Sequence, residues 1–292
     1  EVVMIDFIRT NFRNVIQENV NLSKYQLIDL NNAELKNKPF WYKGKIKCRE
    51  SRDKFVVSGS LHTHFNDFIL KNDKANTDDF SYIELNSCLD ILANDLNVNW
   101  DDSTLTEVEF GLNIQLKLPV EKVIKSIKLH KKKAPQTQEC NAKKCRIFFK
   151  YEDYDIKIYD KSKQYGLSIN ILRVEVRLRR DKFSQFGIYT PNHLKDRNNM
   201  KQLFNFLLQC WDELVVIDSP VCLNGLTNDE ISLLWSGMNE YYWKERSDIS
   251  RQGTHKQYKA YLDFIRKKGL NSTQNTIREL LLAKFEHLMR LE

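Results

Sequence analysis

Residues 106–115 have the sequence TEVEFGLNIQ, and this stretch decides which kind of fold the chain adopts. Successive side chains of a β-strand point to opposite faces, so positions of equal parity share a face. Val108, Phe110, Leu112 and Ile114 are apolar, whereas the odd positions are polar or glycine. The stretch therefore predicts a strand with one face against a hydrophobic layer and one polar face.

Three further stretches, 55–62, 155–161 and 171–179, show the same alternation. In the last of them Leu172, Val174 and Val176 oppose Arg173 and Glu175. Four half-buried strands of this kind favour an antiparallel sheet, because parallel sheets are covered on both faces. The sequence thus predicts an α+β fold, with a largely antiparallel sheet covered by helices on one face and an all-helical C-terminal part.

Periodicity and turn residues predict the remaining elements. The predicted strands and hairpins of the first part are 2–7, 43–50 with 54–61, and 145–151 with 154–160, and its helices are 82–96 and 120–129, with an exposed loop over 131–144. After about residue 200 only helices are predicted, at 200–215, 227–245, 254–268 and 274–291. We therefore predict an α+β catalytic domain over 1–198 and a helical domain over 199–292.

Composition narrows the class of protein. The net charge of +7, from 46 basic and 39 acidic residues, favours a phosphate-rich partner such as DNA. The sequence contains no glycine-rich nucleotide-binding motif, which counts against a nucleotide cofactor. We expect no membrane segment and no secretion signal, and the six separated cysteines favour reduced thiols in a cytoplasm.

The polar face carries residues that suit phosphoryl transfer. Glu109, Glu175 and His62 offer oxygen and nitrogen ligands for a divalent ion, and Tyr159 offers a nucleophile. Lysines and arginines on the same face would neutralise charge that develops on a phosphate. A solvated sheet face without chemistry would show a similar alternation, so both interpretations stay open at this point.

The order of several short motifs resembles the rolling-circle replication initiators of filamentous phages (the gene II replication protein) and the related replication proteins of Bacteroidetes phages and plasmids. The resemblance covers most of the chain. Its motifs are MID at 4–6, VSGSLH at 57–62, TEVEFGLN at 106–113, KIYDK at 157–161 and LRVEVRL at 172–178.

This resemblance implies a metal-dependent enzyme that nicks one strand of origin DNA and later rejoins it through a 5′-phosphotyrosine link. It implies Tyr159 as the nucleophile with Lys157 and Lys161 beside it, and Glu109, Glu175 and His62 as ligands of Mg²⁺ or Mn²⁺. Either lysine would lower the pKa of the tyrosine or orient the phosphate. Tyr151 and Tyr154 remain alternative nucleophiles, and Glu107 shares the face of Glu109 as a solvent-facing alternate.

The implied partners are origin DNA, single-stranded at the nick, and a host helicase and polymerase in the cytoplasm of a bacterial host. Arg173 and Arg177 on the sheet, and Lys256 and Lys267 in the helical part, are the candidate DNA contacts. Two other classes stay open. One is a DNA-binding replication or copy-control protein that has the same fold without nicking, and the other is an RNA-binding module. The sequence does not indicate an oligomeric state.

Overall fold

The fold was analysed in a computed structural model, which describes residues 4–13, 40–51, 54–72, 76–218 and 223–290. The first half of these ranges alternates strands and helices. It contains β1 (Ile5–Arg13), β2 (Phe40–Lys43), β3 (Ile46–Ser51), β4 (Lys54–Ser60), α1 (Leu61–His64), α2 (Tyr82–Leu96), β5 (Ser103–Leu116), α3 (Val120–Ser126), β6 (Ile127–His130), β7 (Thr137–Cys140), β8 (Cys145–Lys150), β9 (Tyr154–Asp160), α4 (Lys161–Tyr165) and β10 (Asn170–Arg179). A π-helical segment, Phe65–Leu70, continues α1.

The second half is almost entirely helical. It contains α5 (Arg180–Phe183), α6 (Arg197–Asp212), β11 (Leu214–Val216), α7 (Asn228–Gly237), α8 (Glu240–Ile249), α9 (Arg251–Lys267) and α10 (Ser272–Met289). The predicted fold class is confirmed: an antiparallel sheet with helices on its apolar face precedes a helical C-terminal part. Among the described residues, no helix is both long and apolar enough to cross a membrane.

Within the described ranges, nine strands form the main sheet, in the order β2-β3-β4-β1-β5-β10-β9-β8-β7. All of its pairings are antiparallel. Three of the four strands that sequence parity identified, β5, β10 and β9, are direct neighbours at its centre, whereas β1 separates the fourth, β4, from β5. The polar positions of β5, β10 and β9 align across the sheet, with Arg177 opposite Glu109, and Glu175 opposite both Gly111 and Lys157.

The part of the chain that the structure describes forms two hydrophobic cores on the helical side. The larger core joins the apolar face of the sheet to α2, α3, α6 and α10, and Leu203, Leu207 and Leu281 are fully buried in it. The smaller core lies between the β6–β11 pair and helices α7 to α9. Because α6 and α10 pack against the sheet, the part of the chain after residue 198 contributes to both cores. The domain boundary at 198/199 stays a prediction.

Several predicted elements differ from the structure because tertiary pairing overrides local pattern. The predicted helix 120–129 ends at Ser126, and its last residues form β6, which pairs with β11. Because residues 214–216 form β11 in this pairing, the predicted helix 200–215 ends earlier, at Asp212. The predicted helix 227–245 is two helices, since the side chain of Asn239 accepts a hydrogen bond from the Tyr241 amide and starts α8. The predicted loop 131–144 contains β7. Residues 2 and 3 of the predicted first strand lie outside the described residues.

The prediction that the cysteines are reduced thiols is wrong for one pair. Cys140 and Cys145 lie directly opposite each other across the β7–β8 hairpin and form a disulfide. Cys48, Cys88 and Cys210 are buried free thiols, as predicted, and Cys222 lies outside the described residues. Sequence separation alone did not indicate the disulfide, because the short strand β7 that brings the two cysteines into register was predicted as loop.

The smaller core supplies a test of packing at Gly237, the last residue of α7. A Cβ atom at this position would lie 2.3 Å from the ring of Tyr261, which is buried. We expect Gly237→Ala to lower the free energy of unfolding by about 1–3 kcal/mol, because the ring has no space to retreat. Chemical denaturation would measure the effect. Ser232→Ala, at an exposed position of the same helix, is the control, and an equal effect of both substitutions would contradict the packing argument.

Candidate active site

The polar face of β5, β9 and β10 carries a compact cluster of carboxylates. Ligand oxygens of Asp6, Glu109 and Glu175 all lie within 4.8 Å of one another. Glu109 and Glu175 come from neighbouring central strands, and Asp6 comes from β1. Asp6 is directed into the cluster by a β-bulge, because Ile5 pairs with Phe110 and Phe7 pairs with Glu109, which leaves Asp6 as an extra residue.

Lys157 bridges two of these carboxylates. Its Nζ lies 2.7 Å from Oε1 of Glu109 and 2.9 Å from Oε1 of Glu175. Burial alone would lower the pKa of Lys157, but the charges of Glu175 and Glu109 outweigh it and raise the pKa. Lys157 therefore stays charged at neutral pH, and its ammonium marks the position among the carboxylates that favours a cation.

Arg173 holds the inner side of the cluster together. Its guanidinium donates to Oε2 of Glu175 at 2.7 Å, to Oδ1 of Asn113 at 3.1 Å and to Oδ2 of Asp6 at 3.4 Å. The side chain is 0% exposed. The sequence predicted that Arg173 contacts DNA. The burial of its side chain does not fit this prediction, because the guanidinium cannot reach a phosphate at the protein surface.

The two glutamates differ in their protonation. Burial raises the pKa of Glu109 to about 7, and the charge of Glu175 adds to this shift. Burial would also raise the pKa of Glu175, but the charges of Arg173 and Lys157 outweigh burial and lower it. Of the two glutamates, Glu175 is therefore charged at neutral pH, and Glu109 gains or loses a proton near neutral pH.

Tyr159 lies at the edge of the cluster, and its hydroxyl is 3.5 Å from Oε2 of Glu175. It pairs across the sheet with Arg173. Burial raises the pKa of Tyr159 well above its ordinary value, and the charge of Glu175 raises it further. The expected lowering of this pKa by Lys157 or Lys161 is not found. The alternative expectation, that either lysine orients the phosphate, stays a prediction.

Lys161 begins α4, directly after β9, and is fully buried. Its Nζ lies 6.0 Å from the centre of the Tyr159 ring and donates to Oδ1 of Asn76 at 2.9 Å. Asn76 in turn donates to Oδ2 of Asp6 at 2.9 Å. Burial, together with the charge of Arg173, lowers the pKa of Lys161 to about 7. Lys161 therefore exchanges a proton at neutral pH, unlike Lys157.

The alternative nucleophiles lie elsewhere. The hydroxyl of Tyr151 lies 2.7 Å from Nδ1 of His130, and its ring stacks on that of Tyr154. Tyr154 packs edge-on against Phe206 of α6. Both rings belong to the helical side of the sheet, so the structure does not bring them together with the carboxylates.

His62 is also separate from the carboxylate cluster. Its Nε2 lies 2.7 Å from Oδ1 of Asp78 and 2.9 Å from Nδ2 of Asn66, and its ring stacks on Phe80. Its predicted place beside Glu109 and Glu175 is taken by Asp6. The residue that contacts the cluster from this segment is Ser60, two residues before His62. Its hydroxyl donates to Oδ1 of Asp6 at 2.6 Å.

The other side chains that were predicted to contact DNA, namely Arg177, Lys256 and Lys267, are partly or fully exposed. Arg177 forms ion pairs with Glu107 and Glu109 and is 33% exposed. Glu107, also paired with Arg9, is buried rather than the solvent-facing residue that the sequence predicted. Lys256 and Lys267 lie on the exposed face of α9, opposite its buried side chains Tyr258, Tyr261 and Ile265. Both stay predicted DNA contacts.

Sequence reasoning missed Asp6, Asn76 and Asn113. Asp6 was visible as a carboxylate in the MID motif at 4–6, and Asn113 had the parity of Glu109. Asn76 comes from a connection without periodicity, and no signal in the sequence pointed to it.

The buried histidine His64, in the segment 62–64, allows a prediction of how the stability of the protein depends on pH. Its ring is buried, stacks on Phe68, and accepts a hydrogen bond from the Lys45 amide at 3.4 Å. Burial lowers the pKa of His64 to about 4; the nearby charge of Asp95 opposes this shift and that of Lys43 adds to it.

Because the unfolded chain binds a proton on this histidine near pH 6.5 and the folded chain does not until about pH 4, stability falls as the pH drops through this window. We expect a loss of about 2–3 kcal/mol from this group between pH 7 and pH 4. Denaturant unfolding at both pH values should show a smaller acid loss in His64→Gln than in wild type. The exposed control His255→Gln should behave as wild type, and an unchanged acid loss in His64→Gln would refute the assignment.

The cluster faces a cavity of about 730 Å³. Asp6, Glu109, Glu175, Lys157 and Tyr159 line its floor, and side chains of the β7–β8 hairpin line its wall. The fold and the site together define an α+β protein whose antiparallel sheet presents carboxylates, lysines and a tyrosine to a single open cavity.

No family model and no curated protein matches the chain. Among solved structures, the chain is similar to the rolling circle replication initiator protein from Geobacillus stearothermophilus. The likeness covers 78% of this chain and 89% of that chain, with 11% sequence identity and a TM-score of 0.40.

Proposed function

We propose that the protein is a rolling-circle replication initiator that nicks and rejoins one strand of origin DNA through a 5′-phosphotyrosine intermediate. The observation that carries this proposal is the position of Tyr159, whose hydroxyl lies 3.5 Å from Glu175 at the edge of three clustered carboxylates. A tyrosine beside a cation-binding cluster is the combination that phosphoryl transfer to a side chain requires.

The proposed reaction is a transesterification. The Tyr159 oxygen forms a bond to the scissile phosphorus, the bond from phosphorus to the 3′ oxygen breaks, and the strand ends in a 3′-hydroxyl. The positive charge of Lys157 balances charge on the phosphate oxygens. Lys161, with a pKa of about 7, accepts the tyrosine proton and returns it to the 3′ oxygen. Two lysines with different pKa values thereby serve two roles.

Asp6, Glu109 and Glu175 are the residues that would hold Mg²⁺ or Mn²⁺. Three carboxylate oxygens within 4.8 Å fit the preference of these ions for oxygen ligands, and Lys157 already places a positive charge there. A bound divalent ion would polarise the scissile phosphate and offset the carboxylate charge that raises the pKa of Tyr159. His62 is not part of this proposed ligand set.

The proposed partner is origin DNA, single-stranded at the nick, in the cytoplasm of a bacterial host. The 3′-hydroxyl would prime a host polymerase behind a host helicase. The basic face of α9, with Lys256 and Lys267, is the proposed contact to the duplex beside the nick. In a non-catalytic DNA-binding protein on the same fold, Tyr159 would be dispensable for function.

The decisive experiment incubates the protein with Mn²⁺ and a supercoiled plasmid that carries the origin of its replicon. Nicked circles should appear, and mass spectrometry of the trapped peptide–DNA adduct should find the nucleotide on Tyr159. An adduct on Tyr151 or Tyr154 would overturn the assignment of the nucleophile, and the absence of both nicks and adduct would favour the non-catalytic role.

The metal site has its own test. Glu109→Gln removes one charged ligand, and we expect the affinity for Mn²⁺ to fall by about 10- to 100-fold or more in calorimetric titration. Glu107→Gln is a matched control, because Glu107 lies on the same face of β5 but pairs with Arg9 and Arg177. Equal Mn²⁺ affinities in wild type and Glu109→Gln would exclude Glu109 as a ligand.

A further inference from the structure

The wall of the cavity beside Tyr159 is built from β8. Arg146 pairs with Tyr159 on β9, and Phe148 pairs with Lys157. Residues that are opposite in an antiparallel pair project to the same face of the sheet. Arg146 and Phe148 therefore extend the polar face outward from the carboxylate cluster, one row each, and both line the cavity.

The wall and the floor of this cavity carry opposite charge. The floor contains Asp6, Glu109 and Glu175, whereas the wall and rim contain Lys143, Lys144 and Arg146. Lys144 and Arg146 share one counter-charge, Glu139, at 2.9 Å and 2.5 Å. The hairpin thus offers an excess of positive charge to a ligand that enters above the carboxylates.

The ring of Phe148 adds a second property to the wall. It is a large aromatic side chain on the same face as the carboxylates, half-buried and lining the cavity. Apolar side chains of β8 that serve the core have the opposite parity, and Ile147 and Phe149 are each 1% exposed. Phe148 is thus outside the larger core, and its ring is available to a ligand.

We infer that the β7–β8 hairpin binds the unpaired nucleotide next to the scissile phosphate, with its base on Phe148 and its phosphates near Lys143 and Arg146. This inference rests on the proposed function for the presence of DNA in the cavity. An aromatic ring beside basic side chains is the combination that binds single-stranded nucleic acid with little dependence on sequence.

The volume of the cavity agrees with this ligand. About 730 Å³ lies within the range of roughly 300–1,000 Å³ that is typical of ligand pockets. The order of side chains along the sheet runs from Phe148 and Arg146 to Lys157 and Tyr159, and then to Glu175 and Arg173. A single DNA strand that crosses β8 in this direction therefore brings its sugar–phosphate backbone toward Tyr159.

The test is a binding measurement without chemistry. Full-length protein in EDTA is titrated into a fluorescent oligo(dT), and the dissociation constant is read from anisotropy. Phe148→Leu keeps an apolar side chain but removes the ring, so we expect binding to weaken about fivefold or more. With an oligonucleotide whose residues are abasic, the same substitution should have no effect, because no base is present to stack.

The contribution of the basic side chains to DNA affinity can be measured separately, from the dependence of the affinity on salt concentration. Lys143→Ala should reduce the slope of log affinity against log salt concentration by about 0.7, the value for one phosphate contact on a single strand. Lys150→Ala is the matched control, since Lys150 lies on the same strand and face as Phe148 but does not line the cavity. Its slope should equal that of wild type.

Wild-type affinity of Phe148→Leu for oligo(dT), or an equal loss on the abasic strand, would overturn the inference. A preference for oligo(U) over oligo(dT) would also overturn it, in favour of an RNA ligand. These outcomes are distinct from failure of the proposed function. A protein that binds oligo(dT) through Phe148 but forms no phosphotyrosine adduct refutes the nickase and leaves the binding site standing.

Discussion

Tyr159→Phe is expected to abolish nicking of origin DNA and formation of the covalent adduct. The substitution removes a single oxygen, and that oxygen is the proposed nucleophile beside Glu175. Loss of a nucleophile that acts with its neighbours as one unit lowers the rate by several orders of magnitude, so we expect a fall of at least about 10³-fold. The rate of conversion of supercoiled to nicked plasmid with Mn²⁺ would measure it.

Tyr154→Phe and Tyr151→Phe are the matched controls, since both tyrosines lie on the helical side of the same hairpin. Each should nick at close to the wild-type rate. Tyr159→Phe should also retain affinity for oligo(dT), which separates loss of chemistry from loss of binding. Nicking by Tyr159→Phe at the wild-type rate would exclude this residue as the nucleophile.

Arg173→Met is expected to have the largest effect on stability. The substitution leaves Glu175, which is 3% exposed, without the guanidinium that donates to it at 2.7 Å. Removal of one partner from a buried ion pair costs about 3–5 kcal/mol, because the remaining charge is buried without compensation. Urea denaturation should show the midpoint of unfolding shifted to lower concentration by a corresponding amount.

Arg177→Met is the control on the same strand and face. Its side chain is 33% exposed, and its partner Glu107 keeps a second partner in Arg9, so we expect a smaller loss of stability than in Arg173→Met. The double variant Arg173→Met/Glu175→Met should recover much of the lost stability, since it removes both charges from the buried site. If the single variant Arg173→Met unfolds at the wild-type urea concentration, the buried network is not what holds the cluster together.

Strand parity was sufficient to find the polar face of the sheet that carries the carboxylate cluster. Glu109, Lys157, Tyr159 and Glu175 were assigned to polar faces from alternation alone, and the structure places all four around one cavity. Parity succeeds here because β5, β9 and β10 pair regularly over their central residues, without an extra residue in any strand.

The same rule failed where the chain departs from regular pairing. Asp6 occupies a β-bulge, so its side chain does not follow the alternation of its neighbours in β1. His62 follows a strand but lies in α1, where alternation no longer applies. Its partner Asn66 lies one helical turn further along the chain, whereas its partner Asp78 comes from a separate segment. No local pattern predicts which distant residue a helical histidine contacts.

The sequence by itself determined the fold class and most strands of the sheet, because both depend on hydrophobic periodicity, which is local. It also determined which faces are polar. Only the tertiary structure decided that β9 and β10 lie beside β5, that Asp6 replaces His62 at the carboxylates, and that Arg173 is buried among them instead of exposed to DNA. Burial and pKa are properties of the assembled sheet, since each depends on side chains far apart in the chain.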